Sequence, residues 1–185
     1  KMKNKILLII LISLLIPNRP LNLDAIYTKL NIDKQSLPSA IVPEQQNLVS
    51  VGPNIAGKEI FLSKNCANAW NQMHEAAKKD SIKMTILSGF RSYYRQYAII
   101  NYKLSKGLSL DAILKENKLP GLSQHHSGNA IDIASNSYKL SLDFQYSSAY
   151  EWLVKNAHQY GFYLTYPKDN KEGIMFEPWH WYFKE

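Results

Sequence analysis

A single cysteine, Cys66, is present among 185 residues, so no intramolecular disulfide can form and a cysteine-rich zinc knuckle is excluded. A solitary cysteine of this kind is expected to pack as a small hydrophobe. No stretch is long enough to cross a bilayer as a helix. The one long apolar run, Ile6 to Ile16, is eleven residues relieved only by Ser13 and closed by Pro17, against the roughly 17–25 that a span needs. No cysteine follows that run closely, which argues against a lipid-anchored start. Internal repeats and low-complexity tracts are absent, as is any Gly-x-Ser-x-Gly nucleophile elbow. An excess of one charge is also missing in practice. The formal net charge is +7, but Lys1, Lys3 and Lys5 supply three of those charges, and the remainder calls for no nucleic-acid partner.

What is present divides into three parts. A basic start followed by the apolar run makes residues 1–24 a signal peptide or an N-terminal membrane anchor, with Leu23-Asp24-Ala25 a poor cleavage site. Export to the periplasm or cell envelope is the expectation. Residues 25–56, with Pro38, Pro43, Pro53 and many Asn, Gln and Ser, read as a linker or N-terminal arm in which Ile41-Val42 and Leu48-Val49 can add an edge strand. Residues 57–185 then form one domain, whose twelve tyrosines and four tryptophans (counted over the whole chain) suit an aromatic core or cleft.

Periodicity predicts a helix from Asn65 with Ala67, Trp70, His74 and Ala77 on one stripe, then a strand over Met84–Leu87. A helix starts near Ser92 and stops at Gly107, and a shorter one covers Leu108–Asn117. Tyr150, Leu153, Val154, Ala157 and Tyr160 mark a further amphipathic helix closed by Gly161. Phe162–Tyr166 and the aromatic run after Pro178 read as an antiparallel pair joined through the turn-rich Asp169–Gly173. The fold class is therefore α+β, a small antiparallel sheet flanked by helices. His74 and His158 read as a packed and a solvated histidine.

Chemistry concentrates in Ser123-Gln124-His125-His126-Ser127-Gly128-Asn129-Ala130-Ile131-Asp132, a loop feeding a strand after Pro120-Gly121. If the strand is extended, Ala130 and Asp132 share one face while Ile131 and Ile133 enter the core. Imidazole and carboxylate donors with a position left for water are what a catalytic zinc uses, and His180 is the third ligand this reading supplies. Glu177 remains uncoordinated beside it as a general base. Adjacent imidazoles, His125 and His126, leave open which one meets the metal.

Ser123-x-His125-x-x-Gly128-x-Ala130-x-Asp132 with Glu177-x-x-His180 resembles the paired signature of the zinc D-alanyl-D-alanine carboxypeptidases of the VanY type, in a superfamily shared with lysostaphin-like endopeptidases and the hedgehog signalling domain. Ser88-Gly89-Phe90-Arg91-Ser92, followed by Gln96, is similar to that family's substrate-side arginine segment. The matching pieces span Ser88 to Phe183. The resemblance selects His125 over His126 and implies one Zn2+ per chain on His125, Asp132 and His180, in a hedgehog/DD-peptidase-like sheet. It also implies Glu177 as base and Arg91 pairing with a carboxylate or the developing oxyanion, with Gln96 and Ser123 hydrogen-bonding the peptide.

By the same resemblance the substrate is a peptidoglycan stem peptide that loses its C-terminal D-alanine, taken by a monomer that meets a membrane only through its N-terminal apolar segment. The same site suits an L,D-carboxypeptidase or a peptidoglycan endopeptidase. A non-catalytic, zinc-stabilised cell-wall binding module is the reading from another class, and the uncoordinated Glu177 argues against it. A Ser/His/Asp hydrolase built on Ser123, His125 and Asp132 fails on spacing, since two residues seldom align a nucleophile with its base.

Overall fold

Among the described residues, serines cap four of the five α-helices. The computed structural model describes residues 22–135 and 139–185, so the Ile6–Ile16 run and part of the loop expected at 135–137 lie outside the described residues. Helix α1 (Leu23–Lys29) is capped by Asn22, and α2 (Lys64–Lys79), α3 (Tyr93–Ser105), α4 (Leu110–Leu114) and α5 (Ser148–Asn156) by Ser63, Ser92, Ser109 and Ser147. Each cap oxygen accepts one of the main-chain N–H groups that a first helical turn leaves unpaired.

Strands β1 (Leu48–Pro53) and β2 (Glu59–Ser63) form an antiparallel pair. The second sheet holds β3 (Thr85–Ser88), β4 (Ala130–Ala134), β5 (Phe162–Leu164) and β6 (His180–Phe183) in the order β3-β4-β6-β5, all antiparallel. The domain is thus α+β with small antiparallel sheets and flanking helices. Every residue of β4 is buried because helices cover one of its faces and the site the other. Ile131 and Ile133 enter a core with Leu62, Trp70, Met73, Leu153, Phe162 and Trp181, where Cys66 also packs. A second cluster joins α1, α3 and α4 through Ile26, Tyr27, Leu30, Ile100, Ile113 and Leu119.

Register is what matters for function. Ser88 pairs with Asp132 and Asp132 pairs with His180, so three polar side chains stand in one row across β3, β4 and β6. Directly opposed residues share a face, which brings side chains 48 positions apart in sequence into contact.

The stretch 25–56 lies against the domain. Helix α1 crosses the boundary drawn at residue 24 and docks Ile26 and Tyr27, with the Tyr27 hydroxyl donating to the Pro120 carbonyl at 2.6 Å. Further on, Val42 N–H donates to Gly121 O and Gln45 N–H to His126 O, both at 2.8 Å, so the arm pins the loop that carries the histidines. Glu44 also accepts from the Tyr93 main chain at the start of α3. β1 contains the Leu48-Val49 piece; Ile41-Val42 forms no strand.

Three expectations shift at their edges. The strand from Phe162 stops at Leu164 rather than Tyr166, and α4 is confined to Leu110–Leu114. Val154 is 55% exposed while Trp152 is buried, because the buried stripe of α5 runs through Ala149, Trp152 and Leu153, and Val154 is turned about 100° past Leu153. His74 stacks on Trp70 with ring centroids 4.9 Å apart.

Gly128 is the residue on which the turn into β4 depends. Its φ is +70°, and a Cβ there would lie 2.8 Å from the Ser63 nitrogen. Gly128→Ala should destabilise the fold by about 2–5 kcal/mol, left-handed strain of about 1–2 added to overpacking of about 1–3. Chemical denaturation checks this, and an unchanged midpoint would show that the turn has room to relax.

Candidate metal centre

The row in the sheet supplies Asp132 and His180, and the loop before β4 supplies His125. One ligand atom from each of the three lies within 4.8 Å of the others, and all three residues are buried. His125 Nε2 is 3.3 Å from Asp132 Oδ2, and His180 Nδ1 is 3.0 Å from Asp132 Oδ1. The imidazole rings meet edge to face with centroids 4.9 Å apart.

Which nitrogen faces inward follows from what holds the other. His125 Nδ1 is 2.8 Å from the Gly89 carbonyl, and His180 Nε2 is 3.0 Å from Gln124 Oε1. Both outer partners are acceptors, so each neutral ring carries its proton outward and turns a lone pair toward Asp132. Two lone pairs and a carboxylate converging on one point repel unless a cation lies between them. The donor set of two imidazoles and one carboxylate therefore fits a zinc-type ion, with the outer oxygens in the place where metal-bound histidines usually find them.

Protonation agrees with that arrangement. Burial pushes the His125 imidazole down to about 4, outweighing the opposing charge of Asp132, so the ring is neutral. Burial alone would raise the Asp132 carboxyl, but the closeness of His125 and His180 holds it well below the usual carboxylate range. Glu177 differs. Burial, reinforced by the Asp132 charge and only partly offset by Arg91, pushes its carboxyl up to about 8. It stands 3.9 Å from His180 Nδ1, near the centre without being drawn into the cluster of three. Its place is set locally, since the His180 N–H donates to the Glu177 carbonyl at 3.1 Å and the intervening turn brings both side chains to one side.

Arg91 sits after β3, buried rather than on the surface. Its Nη1 donates to Gln96 Oε1 at 2.9 Å and its Nη2 to Ser88 Oγ at 3.1 Å, with Asp132 Oδ2 at 3.6 Å. Burial lowers the guanidinium pKa and the charges of Asp132 and Glu177 oppose that; an arginine stays charged regardless. Gln96 spends its other end on the Lys118 carbonyl at 2.6 Å, so its side chain ties Arg91 to the chain beyond α4. Ser123 is buried in the same wall and makes no side-chain cap to the turn it precedes. His126 faces away from the cluster. Gly121 N–H donates to its Nε2 at 3.1 Å, leaving Nδ1–H to donate to the Arg91 carbonyl at 2.5 Å, and burial pushes this imidazole down to about 4.

All seven site residues named from the sequence, Gln96 and Ser123 among them, line one cavity of about 440 Å³ that opens beside the cluster. Leu140, Leu142, Lys103, Glu116, Lys118 and Met175 are among its other lining residues. Sequence reasoning did not single out Gln124, Thr165 or the charged far wall, since lone polar residues in loops carry no periodic signal.

A family model described as VanY, D-alanyl-D-alanine carboxypeptidase, matches residues 59–185. YodJ of Bacillus subtilis (strain 168) is 39% identical over 126 residues, 65% of this chain and 45% of that protein. A D-alanyl-D-alanine carboxypeptidase of Enterococcus faecium is 30% identical over 164 residues, 86% of this chain and 50% of that protein. Among solved structures, the LdcB LD-carboxypeptidase superposes with a TM-score of 0.63 at 30% identity, over 82% of this chain and 71% of that one. The chain spans about half the length of the two curated relatives.

Because both ends of the Gln96 amide are occupied, Gln96→Leu should leave the Lys118 carbonyl and one Arg91 donor without partners. The expected loss is about 1–3 kcal/mol in chemical denaturation. Gln96→Glu, which keeps an acceptor for Arg91, should lose less, and equal losses for the two would point to packing instead.

Proposed function

Since the chain belongs to the VanY D-alanyl-D-alanine carboxypeptidase family, we propose that it hydrolyses the C-terminal D-alanine from peptidoglycan stem peptides, as an exported zinc D,D-carboxypeptidase acting in the cell envelope. The observation that carries this reading is the cluster of His125, Asp132 and His180 on a cavity wall, with Glu177 beside it and outside it. His125 Nε2, Asp132 and His180 Nδ1 would hold the metal. Bound there, zinc supplies a Lewis acid that lowers the pKa of water from about 15.7 to about 7.

The chain's own residues do the remainder. Glu177 accepts a proton from the attacking water and returns it to the departing amine as the C–N bond breaks, so the products are a shortened peptide and free D-alanine. Arg91, steadied by Ser88 and Gln96, presents a fixed fork to the terminal carboxylate or the developing oxyanion. Ser123 lies on the same wall as a hydrogen-bonding group for the peptide. Among the described residues no helix is long and apolar enough to cross a membrane, and the N-terminal run is the segment assigned to export or anchoring. A monomer is sufficient, because all the named groups come from one chain.

A second reading, an L,D-carboxypeptidase acting on tetrapeptide stems, is supported by the 30% identity to the LdcB LD-carboxypeptidase. Defined tetra- and pentapeptide stems incubated with the protein, with and without chelator, and weighed by mass spectrometry separate the two. Loss of one D-alanine from the pentapeptide is expected, while cleavage of the tetrapeptide alone would favour the second reading.

Two variants examine the division of labour. Glu177→Gln should retain zinc stoichiometry and lose about 10²–10⁴-fold in turnover, the contribution of a positioned acid–base group. Turnover equal to the parent would remove Glu177 from the reaction. His180→Ala should lose zinc on dialysis together with activity, and a full metal content would exclude it as a ligand.

A further inference from the structure

Each ring nitrogen that points away from the cluster has an oxygen behind it, but the two histidines obtain that oxygen differently. At His125 it is the main-chain carbonyl of Gly89, which no side-chain substitution removes. At His180 it is the side-chain oxygen of Gln124, 3.0 Å from Nε2. That oxygen is itself held, because the Thr165 hydroxyl just beyond β5 donates to it at 3.0 Å. The amide thus spans from the histidine loop to the segment after β5 and ends on the outer edge of a ring that Tyr166 flanks, its centroid 4.9 Å away.

A carbonyl oxygen bears no hydrogen, so its bond to His180 exists only when Nε2 is protonated. Nδ1 then keeps its lone pair on the side of Asp132 and Glu177. The other tautomer would set the Nε2 lone pair against Oε1 and direct an N–H at the position a ligand atom must occupy. We propose that Gln124, anchored by Thr165, is a positioning residue that selects the His180 tautomer and ring orientation and thereby sets zinc affinity. The assignment rests on the zinc reading above. It also makes His180 the adjustable side of the centre and His125 the invariant one.

The test uses the whole chain, with zinc affinity measured by chelator competition, and with the thermal midpoint and the ¹⁵N shifts of the His180 ring both recorded on the metal-free protein. Gln124→Met removes the acceptor at similar length and should weaken zinc about 10–100-fold, the usual effect of losing such an outer partner. The metal-free midpoint should stay near that of the parent, and the ¹⁵N pattern should lose its protonated-Nε2 signature. Gln124→Glu keeps an acceptor oxygen and should bind zinc within a few-fold of the parent. Thr165→Val should weaken zinc by a smaller factor, and it carries the test if Gln124→Met does not fold. Parent-like affinity in Gln124→Met, or in Thr165→Val where that variant stands in, overturns the proposal, as does a Gln124→Glu protein as weak as Gln124→Met. A parent that binds no zinc overturns the metallopeptidase reading along with it, whereas a zinc-binding parent matched by Gln124→Met overturns the Gln124 assignment alone.

Discussion

Asp132 occupies the middle strand of the sheet, with His180 opposite it on β6 and Ser88 opposite it on β3, so its carboxylate must be satisfied by what those neighbours bring. An ion taken out of water costs several kcal/mol unless its partners make good the loss. Here Arg91 Nη2 stands 3.6 Å from Oδ2, and the ring nitrogens of His125 and His180 lie 3.3 Å from Oδ2 and 3.0 Å from Oδ1, where a cation would lie between them and the carboxylate. Ala130, two residues before it on the same face, is small and leaves space beside it, while Ile131 and Ile133 on the opposite face commit the strand to the core. The juxtaposition of Asp132 and His180 is therefore a consequence of sheet register, and a slip of one residue would turn Asp132 into the core.

Substrate-side and metal-side groups are fastened to each other through the main chain. His125 Nδ1–H donates to Gly89 O, Arg91 N–H donates to His125 O, and His126 donates to Arg91 O. Three hydrogen bonds interlace residues 89–91 with residues 125–126, and the N-terminal arm adds its own to Gly121 and His126. A catalytic arrangement has to be held to within a fraction of an ångström, and rigid supports are what achieve that. His126 contributes by carrying load between the two segments. That explains why a second imidazole sits beside the ligand without sharing its task.

Much of this was legible in the residues. The alternation in Ala130–Ile133 gave the strand and its faces, Ser92 and Gly107 bracketed α3, and Pro178 with the aromatics after it marked β6. The paired motifs named His125, Asp132, His180 and Glu177, which the fold brings to one cavity wall. What stayed hidden depends on tertiary partners. Helix α1 is only seven residues long and sits in a Pro- and Asn-rich neighbourhood, so its apolar spacing gains meaning only once α3 and α4 provide a surface. The identity of the oxygen behind His180 had no local trace, because Gln124 and its target are 56 positions apart.

The cavity has two kinds of wall. His125, Asp132, His180, Glu177 and Arg91 stand on or next to the sheet and are cross-braced, whereas Leu140, Leu142, Lys118 and Met175 come from connecting segments joined by lighter ties. One is the Met175 N–H to the Lys115 carbonyl at 2.8 Å, and another is the exposed Lys118–Glu172 ion pair. Exposed pairs of that sort contribute about 0–1 kcal/mol, so little stability is at stake in altering them. On the proposed reading, hydrolysis and peptide preference are consequently separable: the far wall can be exchanged to suit a different peptide while His125, Asp132, His180, Glu177 and Arg91 stay where they are.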